Sequence, residues 1–218
     1  MTDTQTTLFS LKHVMDTFIT ERDWYQFHNP KIDSMGSVVE TSELLALFLF
    51  SKPGAGGQDV LLAKRESVED ELSDVLMWVL TFSTSAKIDL TRAVCFRLTT
   101  ATEVGDQEMM MSDLICLVST VGSRNRTVEA AAMNLSCKAA ALMNLFFVEA
   151  SDDTGHQLLQ EKRIEIEGLL ADVLVALMQF AEQASIDIST ALVRKIEKNE
   201  KKYPIEKSKG KSTKYTDL

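Results

Sequence analysis

One stretch of helical sequence occurs twice in this chain at a constant offset. Residues 72–93 reappear as residues 170–191, and nine positions carry the same amino acid in both copies without a gap. Coincidence is a poor explanation for this agreement, so the sequence predicts a duplicated unit. We place the units at 1–103 and 104–204, with their junction near residues 101–106, and a flexible tail at 205–218. The identical positions of the first copy are Leu72, Asp74, Val75, Leu76, Phe82, Ala86, Ile88, Asp89 and Ala93.

The composition favours helices on both sides of that junction. Only three prolines and nine glycines interrupt 218 residues, and hydrophobic residues make up 45% of the chain. Apolar residues recur at helical spacing, which predicts an all-α fold of two fused four-helix units packed as one pseudo-symmetric bundle. We expect helices that are capped by Ser10, Ser34 and Asp89, a helix that begins near Val60, and a last helix over residues 189–204.

Two pairs of acids stand inside apolar helical runs of the first copy. Glu40 and Glu43 form one pair, and Glu71 and Asp74 the other, each at the i, i+3 spacing that puts both carboxylates on one helix face. Residues 51–59 between the pairs contain proline and glycine, so the chain turns back and the acidic faces can meet. Converging carboxylates are best tolerated around a cation, and oxygen ligands favour Mg²⁺ or Mn²⁺. The alternative is a solvated acidic face.

The second copy lacks these acids and carries a basic last helix. When the copies are aligned, the positions of the four acids are taken by Cys137, Ala140, Leu169 and Asp172. The last helix has Lys195 and Asn199 one turn apart. The sequence therefore predicts a composite site, in which the first copy supplies the acids and the second supplies the cation.

Charge and cysteine usage restrict the partners and the compartment. A net charge of -9 argues against a nucleic-acid polymer as a partner. Cys95, Cys116 and Cys137 are widely spaced in apolar helical sequence, which predicts buried thiols in a reduced setting. Neither a secretory signal nor a segment of membrane-spanning length is evident, so we expect an intracellular, cytoplasmic protein with no membrane partner.

The acid motif and three further segments resemble one superfamily. Glu40-x-x-Glu43 followed by Glu71-x-x-Asp74 is similar to the metal motif of the all-α nucleoside-triphosphate pyrophosphohydrolases, the MazG-like superfamily. Residues 21–31, residues 195–204 and residues 214–218 are similar to the dCTP pyrophosphatases within it.

The resemblance implies an enzyme of nucleotide-pool control. It would hydrolyse dCTP, or a modified dCTP, to dCMP and pyrophosphate, with water attacking the α-phosphorus. The four acids would bind Mg²⁺ or Mn²⁺, and Glu43 and Glu71 would take part in catalysis, with Glu43 as the general base. The implied substrate-binding residues are Trp24, His28, Phe50, Trp78, Lys195, Asn199 and Tyr203.

The resemblance also implies an assembly. Single-unit relatives form dimers or tetramers, so a duplicated chain is expected to be a homodimer with one site per chain. A dUTP or damaged-nucleotide pyrophosphatase of the same fold is one alternative function. A non-catalytic helical binding protein is another, in which the aromatic residues only close the bundle and Lys195 is a surface lysine. A dinuclear iron site is disfavoured because no Glu-x-x-His accompanies the acids.

Overall fold

The regular structure of this chain is helical. The computed structural model describes residues 1–98, 109–120 and 127–217, and within these ranges the only β-type pairing is an isolated bridge between Thr7 and Met110. The predicted all-α fold is therefore confirmed. The predicted junction near residues 101–106 lies outside the described residues.

The described residues contain ten α-helices and two 3₁₀ turns. In chain order they are α1 (Leu8–Glu21), α2 (Pro30–Phe48), α3 (Gln58–Ser85), α4 (Leu90–Leu98), α5 (Met111–Ser119), α6 (Val128–Glu149), α7 (His156–Glu161), α8 (Arg163–Gln183), α9 (Ile188–Lys202) and α10 (Ile205–Ser208), with 3₁₀ turns at Tyr25–Phe27 and Tyr215–Asp217.

Two of the predicted helix caps are wrong. The α1 helix is capped by Thr7, whose side chain accepts a hydrogen bond from the Ser10 amide. The α2 helix begins four residues before Ser34, because Asn29 accepts from the Ile32 amide and the next residue is a proline, which suits the first helical turn.

The other caps agree with the sequence more closely. Asp89 accepts from the Arg92 amide at 2.7 Å, as its predicted role at the start of α4 requires. The helix predicted over residues 189–204 is α9, and it is capped in the same way by Asp187, which accepts from the Thr190 amide. The third helix begins at Gln58, directly after Gly57 in the left-handed conformation, and so two residues before the predicted start.

The α4 helix and the α9 helix each pack on a helix from the other half of the chain. The α2 helix packs on α3 and on α6, and α6 packs on α8. The α4 helix then packs on α8, whereas α9 packs on α3. This exchange brings side chains of α9 to the acids of α3.

Several contacts recur at an offset of 98 residues. The Arg65 guanidinium donates to the carbonyls of Ala184 and Ser185, and the Arg163 guanidinium donates to the carbonyls of Ala86 and Lys87. Two glycines with positive φ, at positions 57 and 155, lie against the phenylalanine rings at 48 and 146 in the same manner. These paired contacts are what a duplicated chain would produce, and the duplication itself stays a prediction.

Two expectations about surface and core need correction. Cys95 is buried, but Cys116 and Cys137 are exposed because both lie on outward faces of their helices. The α6 helix has 22 residues and contains a window of 18 residues with a mean hydropathy of 1.4, so it is long and apolar enough to cross a membrane, contrary to the expectation that no segment would be. Its buried residues, among them Leu135, Leu142 and Phe146, lie in the bundle where α6 packs against α2 and α8. Met133, Phe147 and Val148 are exposed.

Candidate functional site

A cavity of about 390 Å³ lies between α1, α2, α3, α9 and the C-terminal segment. One part of its wall is acidic, and another part is aromatic. The lining residues used below are Trp24, His28, Glu40, Glu43, Glu71, Asp74, Trp78, Lys195, Asn199, Tyr203, Lys214 and Tyr215.

The acidic part is formed where α2 packs on α3. Carboxylate oxygens of Glu40, Glu43 and Glu71 lie within 4.8 Å of one another, so one cation could contact all three. In the described part of the chain none of these three acids forms a salt bridge. Three hard oxygen donors without a basic partner are a suitable set for Mg²⁺ or Mn²⁺.

Burial and mutual repulsion destabilise the ionised form of these acids. Burial, together with the charge of Asp74, raises the pKa of Glu40 to about 7. Burial also raises the pKa of Glu71 and of Asp74 above their ordinary values, and the charge of Lys195 opposes both increases. A divalent cation would relieve this repulsion, which is the physical argument for a metal site here.

Lys195 reaches the fourth acid from α9. Its Nζ lies 2.5 Å from Oδ2 of Asp74, and the residue is only 6% exposed. Asn199 follows one turn later and also lines the cavity, with its amide 3.6 Å from the Met77 sulfur. Lys195 therefore lies next to the acids, as the sequence predicted.

The aromatic part includes four ring-bearing side chains. The His28 ring lies 5.4 Å from the Trp78 ring, and the Trp78 indole N–H is 3.4 Å from Oε1 of Glu40. Trp24 packs edge-on against Tyr203 at 5.1 Å. The cavity thus offers flat apolar faces beside its carboxylates.

A glycine inside α2 makes room for one of these rings. A Cβ added to Gly36 would lie 2.4 Å from atoms of the Trp78 indole, far inside van der Waals contact. Only glycine lets the ring lie directly on the α2 backbone. Sequence reasoning missed this residue, although a glycine in an otherwise regular helix is the signal for such a close approach.

The C-terminal segment closes one side of the cavity. The Trp24 indole donates to the Ser208 carbonyl, and the Gly210 amide donates to the Arg22 carbonyl. Lys214 and Tyr215 then line the cavity. The segment predicted to be a flexible tail has regular structure and packs beside the site.

Phe50 does not belong to this cavity. Its side chain is 90% exposed because α2 ends at Phe48 and the chain turns away into the loop before α3. The other residues predicted to bind metal or substrate all line the cavity.

The equivalent position in the other half carries an ion pair, and among the described residues only Glu40, Glu43 and Glu71 form a cluster that could hold a metal ion. Arg97 of α4 contacts both carboxylate oxygens of Asp172 at 2.6 and 3.1 Å, and Lys138 lies 3.3 Å from the same carboxylate. The offset of 98 residues places Lys138 and Ala141 at the positions of the α2 acids. The alignment that used Cys137 and Ala140 was therefore wrong by one residue.

Comparisons with known proteins agree with part of this description. Residues 134–218 match the model of the MazG-like family. The chain is 34% identical over 95 residues to dCTP pyrophosphatase 1 of Rattus norvegicus, which covers 43% of this chain and 56% of the relative. It is 33% identical over 93 residues to dCTP pyrophosphatase 1 of Homo sapiens, covering 42% and 55%.

These matches are partial. The chain spans little more than half the length of the curated relatives it matches, and no solved structure matches it significantly. The family match includes Lys195, Asn199 and Tyr203 but begins after the acids of α2 and α3, which it therefore does not include.

Proposed function

The chain is MazG-like over residues 134–218, and from this premise we propose that it is a Mg²⁺-dependent nucleoside-triphosphate pyrophosphohydrolase that converts dCTP, or a modified dCTP, to dCMP and pyrophosphate. The observation that carries the proposal is the cavity in which three clustered carboxylates face a buried lysine beside an aromatic wall. Mn²⁺ has the same ligand preference and is expected to substitute.

The acids have two tasks in this proposal. Glu40, Glu43, Glu71 and Asp74 hold the divalent ion, which when bound neutralises the triphosphate and lowers the pKa of a coordinated water. Glu43 is more exposed than Glu40, so it can accept the proton of the water that attacks the α-phosphorus. Glu71 fixes the position of that water from the facing helix.

The residues of α9 hold the leaving part of the substrate. Lys195 carries its charge into a nearly closed environment, where a contact to a phosphate oxygen is stronger than at the surface. Asn199 can donate to a phosphate or sugar oxygen, and Tyr203 closes the wall one turn beyond.

The aromatic wall receives the base. The rings of Trp24, His28 and Trp78 present faces on which a pyrimidine can stack. Trp78 also contacts Glu40, so the base and the polyphosphate are held at a fixed spacing.

We further propose that the chain is a duplicated unit with one active site, active as a homodimer and located inside the cell. The paired contacts at an offset of 98 residues support the duplication, and the replacement of three acids by Lys138, Ala141 and Leu169 supports a single site. Neither a membrane nor a nucleic-acid polymer is part of the proposal.

A nucleotide panel tests the function. We expect Mg²⁺-dependent pyrophosphate release that is fastest with dCTP or a modified dCTP, and slower with dUTP, dTTP and the purine nucleotides. Glu43→Gln should abolish release, whereas Glu197→Gln, an exposed acid of α9, should not change it. Fastest turnover of dUTP or of a damaged nucleotide would support the alternative substrate. No release with any nucleotide would support a binding protein and overturn the proposal.

A further inference from the structure

His28 is held by a buried carboxylate to which the proposed function assigns no role. Asp33, on the first turns of α2, is fully buried, and its Oδ1 lies 2.7 Å from Nδ1 of His28. The Ser85 hydroxyl lies 3.1 Å from the other carboxylate oxygen. His28 itself lines the cavity beside Trp78.

This contact determines where the imidazole carries its proton. An ionised carboxylate only accepts hydrogen bonds, so Nδ1 must donate to it, and in the neutral ring Nε2 then has a free lone pair. Burial raises the pKa of Asp33, and the hydrogen bonds from His28 and Ser85 oppose that increase. Within the described residues Nε2 has no hydrogen-bond partner, although the ring borders the cavity.

We propose that Asp33 is a positioning residue that fixes the Nδ1–H tautomer of His28, so that Nε2 accepts a hydrogen bond from an exocyclic amine of the substrate base. The inference rests on the proposed function and assigns its specificity. Cytosine presents an amine at this edge, whereas uracil and thymine present a carbonyl oxygen that would face a lone pair. The site thereby selects amino-pyrimidines over oxo-pyrimidines.

The tautomer can be read directly in the full-length protein. Long-range ¹H–¹⁵N correlation spectra of the wild type near pH 8 should show a protonated Nδ1 and an unprotonated Nε2 for His28, which is assigned by comparison with His28→Gln. The exposed His13 and His156 serve as internal references. A His28 signal with the proton on Nε2 would overturn the inference, and this measurement does not depend on enzymatic activity.

Substitution of the carboxylate tests the consequence for specificity. In Asp33→Asn the amide nitrogen can donate to Nδ1, which moves the ring proton to Nε2 and turns it into a donor. We expect the ratio of kcat/KM for dCTP over dUTP to fall at least about 10-fold. The matched control is Ser85→Ala, which removes the other hydrogen bond to Asp33 and should change that ratio less than about 3-fold.

The outcomes separate the inference from the proposed function. An active Asp33→Asn enzyme with unchanged selectivity would overturn the role of Asp33 and leave pyrophosphate release intact. A wild-type chain that releases no pyrophosphate from any nucleotide would overturn the proposed function, whatever the spectrum of His28 shows. If Asp33→Asn does not fold, the wild-type spectrum alone decides the tautomer.

Discussion

The contact of α9 with α3 and the contact of α4 with α8 share one plan and differ in charge. In the first, Lys195 of α9 lies 2.5 Å from Asp74, and in the second, Arg97 of α4 lies 2.6 Å from Asp172. Each ion pair joins a helix of one half, α9 or α4, to a long helix of the other half, α3 or α8. An ion pair at this place therefore stabilises the packing of the helices and does not by itself indicate an active site.

The neighbours of each pair make the difference. Around Asp74 stand three further acids. Lys195 pairs with Asp74, and Lys202 and Lys214 also line the cavity, so four carboxylates outnumber three lysines. Around Asp172 stands Lys138 as a second cation, so two cations face one acid. The first contact needs an additional cation and can hold a metal, whereas the second is already balanced. Surplus negative charge, and not the fold, distinguishes the candidate active site.

Removal of one surplus acid should have the largest effect on this comparison. In Glu71→Gln the carboxylate cluster loses a charged metal ligand, and we expect kcat/KM with Mg²⁺ to fall at least about 100-fold. Steady-state pyrophosphate release measures the loss, and calorimetry should show weaker Mg²⁺ binding. The matched control is Glu167→Gln on α8, whose carboxylate pairs with Arg163 and does not line the candidate site, so this variant should keep its activity. Equal losses in both variants would contradict the assignment of the metal site.

Removal of the buried lysine should have the next largest effect. Lys195→Met keeps the length of the side chain but leaves Asp74 without its partner, at a cost of about 2 kcal/mol in the free energy of unfolding. Loss of a charge-assisted contact to phosphate should lower kcat/KM roughly 10- to 100-fold. Thermal unfolding with and without Mg²⁺ separates these roles, because a bound ion should restore part of the stability. A variant with full activity would contradict a role for Lys195 in substrate binding.

The two contacts should also respond to pH in opposite directions. The pKa of Glu40 is raised from 4.5 to about 7 by burial and by Asp74, so the folded, metal-free protein binds more protons than the unfolded chain between these values. Its stability should therefore fall as pH increases from about 4.5 to 7. Mg²⁺ competes with the same proton, so its affinity should increase by up to about tenfold per pH unit below 7.

The ion pairs of Asp172 on α8 should make stability depend on pH in the opposite direction. Burial of Asp172 would raise its pKa, but Arg97 and Lys138 together hold it below its ordinary value of 3.8. The stability from this pair is therefore present above 3.8 and is lost as pH falls through the lower pKa of the folded state. Thermal unfolding across pH 3 to 8 tests both signs. Glu40→Gln should reduce the fall towards pH 7, to which the raised pKa values of Glu71 and Asp74 also contribute, and should leave the loss at low pH unchanged. A wild-type profile that does not fall between pH 4.5 and 7 would contradict the burial of Glu40.

The local patterns of the sequence were sufficient to predict that the acids of the site converge. The i, i+3 spacing of the acids and the turn between α2 and α3 follow from helix geometry, so Glu40, Glu43 and Glu71 could be brought together from sequence alone. Lys195 could be placed there only through the repeat and the resemblance, because its partner is far away in the chain. The exposure of Phe50 was missed because the last turn of α2 could not be located to a single residue.

Contacts that depend on packing could not be predicted in the same way. Asp33 precedes the acid motif without any spacing that marks it, and its role becomes visible only when His28 is seen at 2.7 Å. The register of the second half was wrong by one residue, although Leu44, Leu47 and Phe48 recur at the offset of 98 as Leu142, Leu145 and Phe146. Lys138 was thereby overlooked, although it is the residue that balances Asp172.

Removal of the arginine should have the smallest effect and gives the sharpest comparison. Arg97 is about half exposed, with its side chain at 53%, and Asp172 keeps Lys138 as a partner when Arg97 is lost. Arg97→Met should therefore lower the free energy of unfolding by less than about 1 kcal/mol and leave kcat/KM unchanged. Chemical denaturation and pyrophosphate release, measured beside Lys195→Met, check this. A loss of activity in Arg97→Met equal to that in Lys195→Met would mean that both contacts serve catalysis, and the proposal of one active site per chain would be wrong.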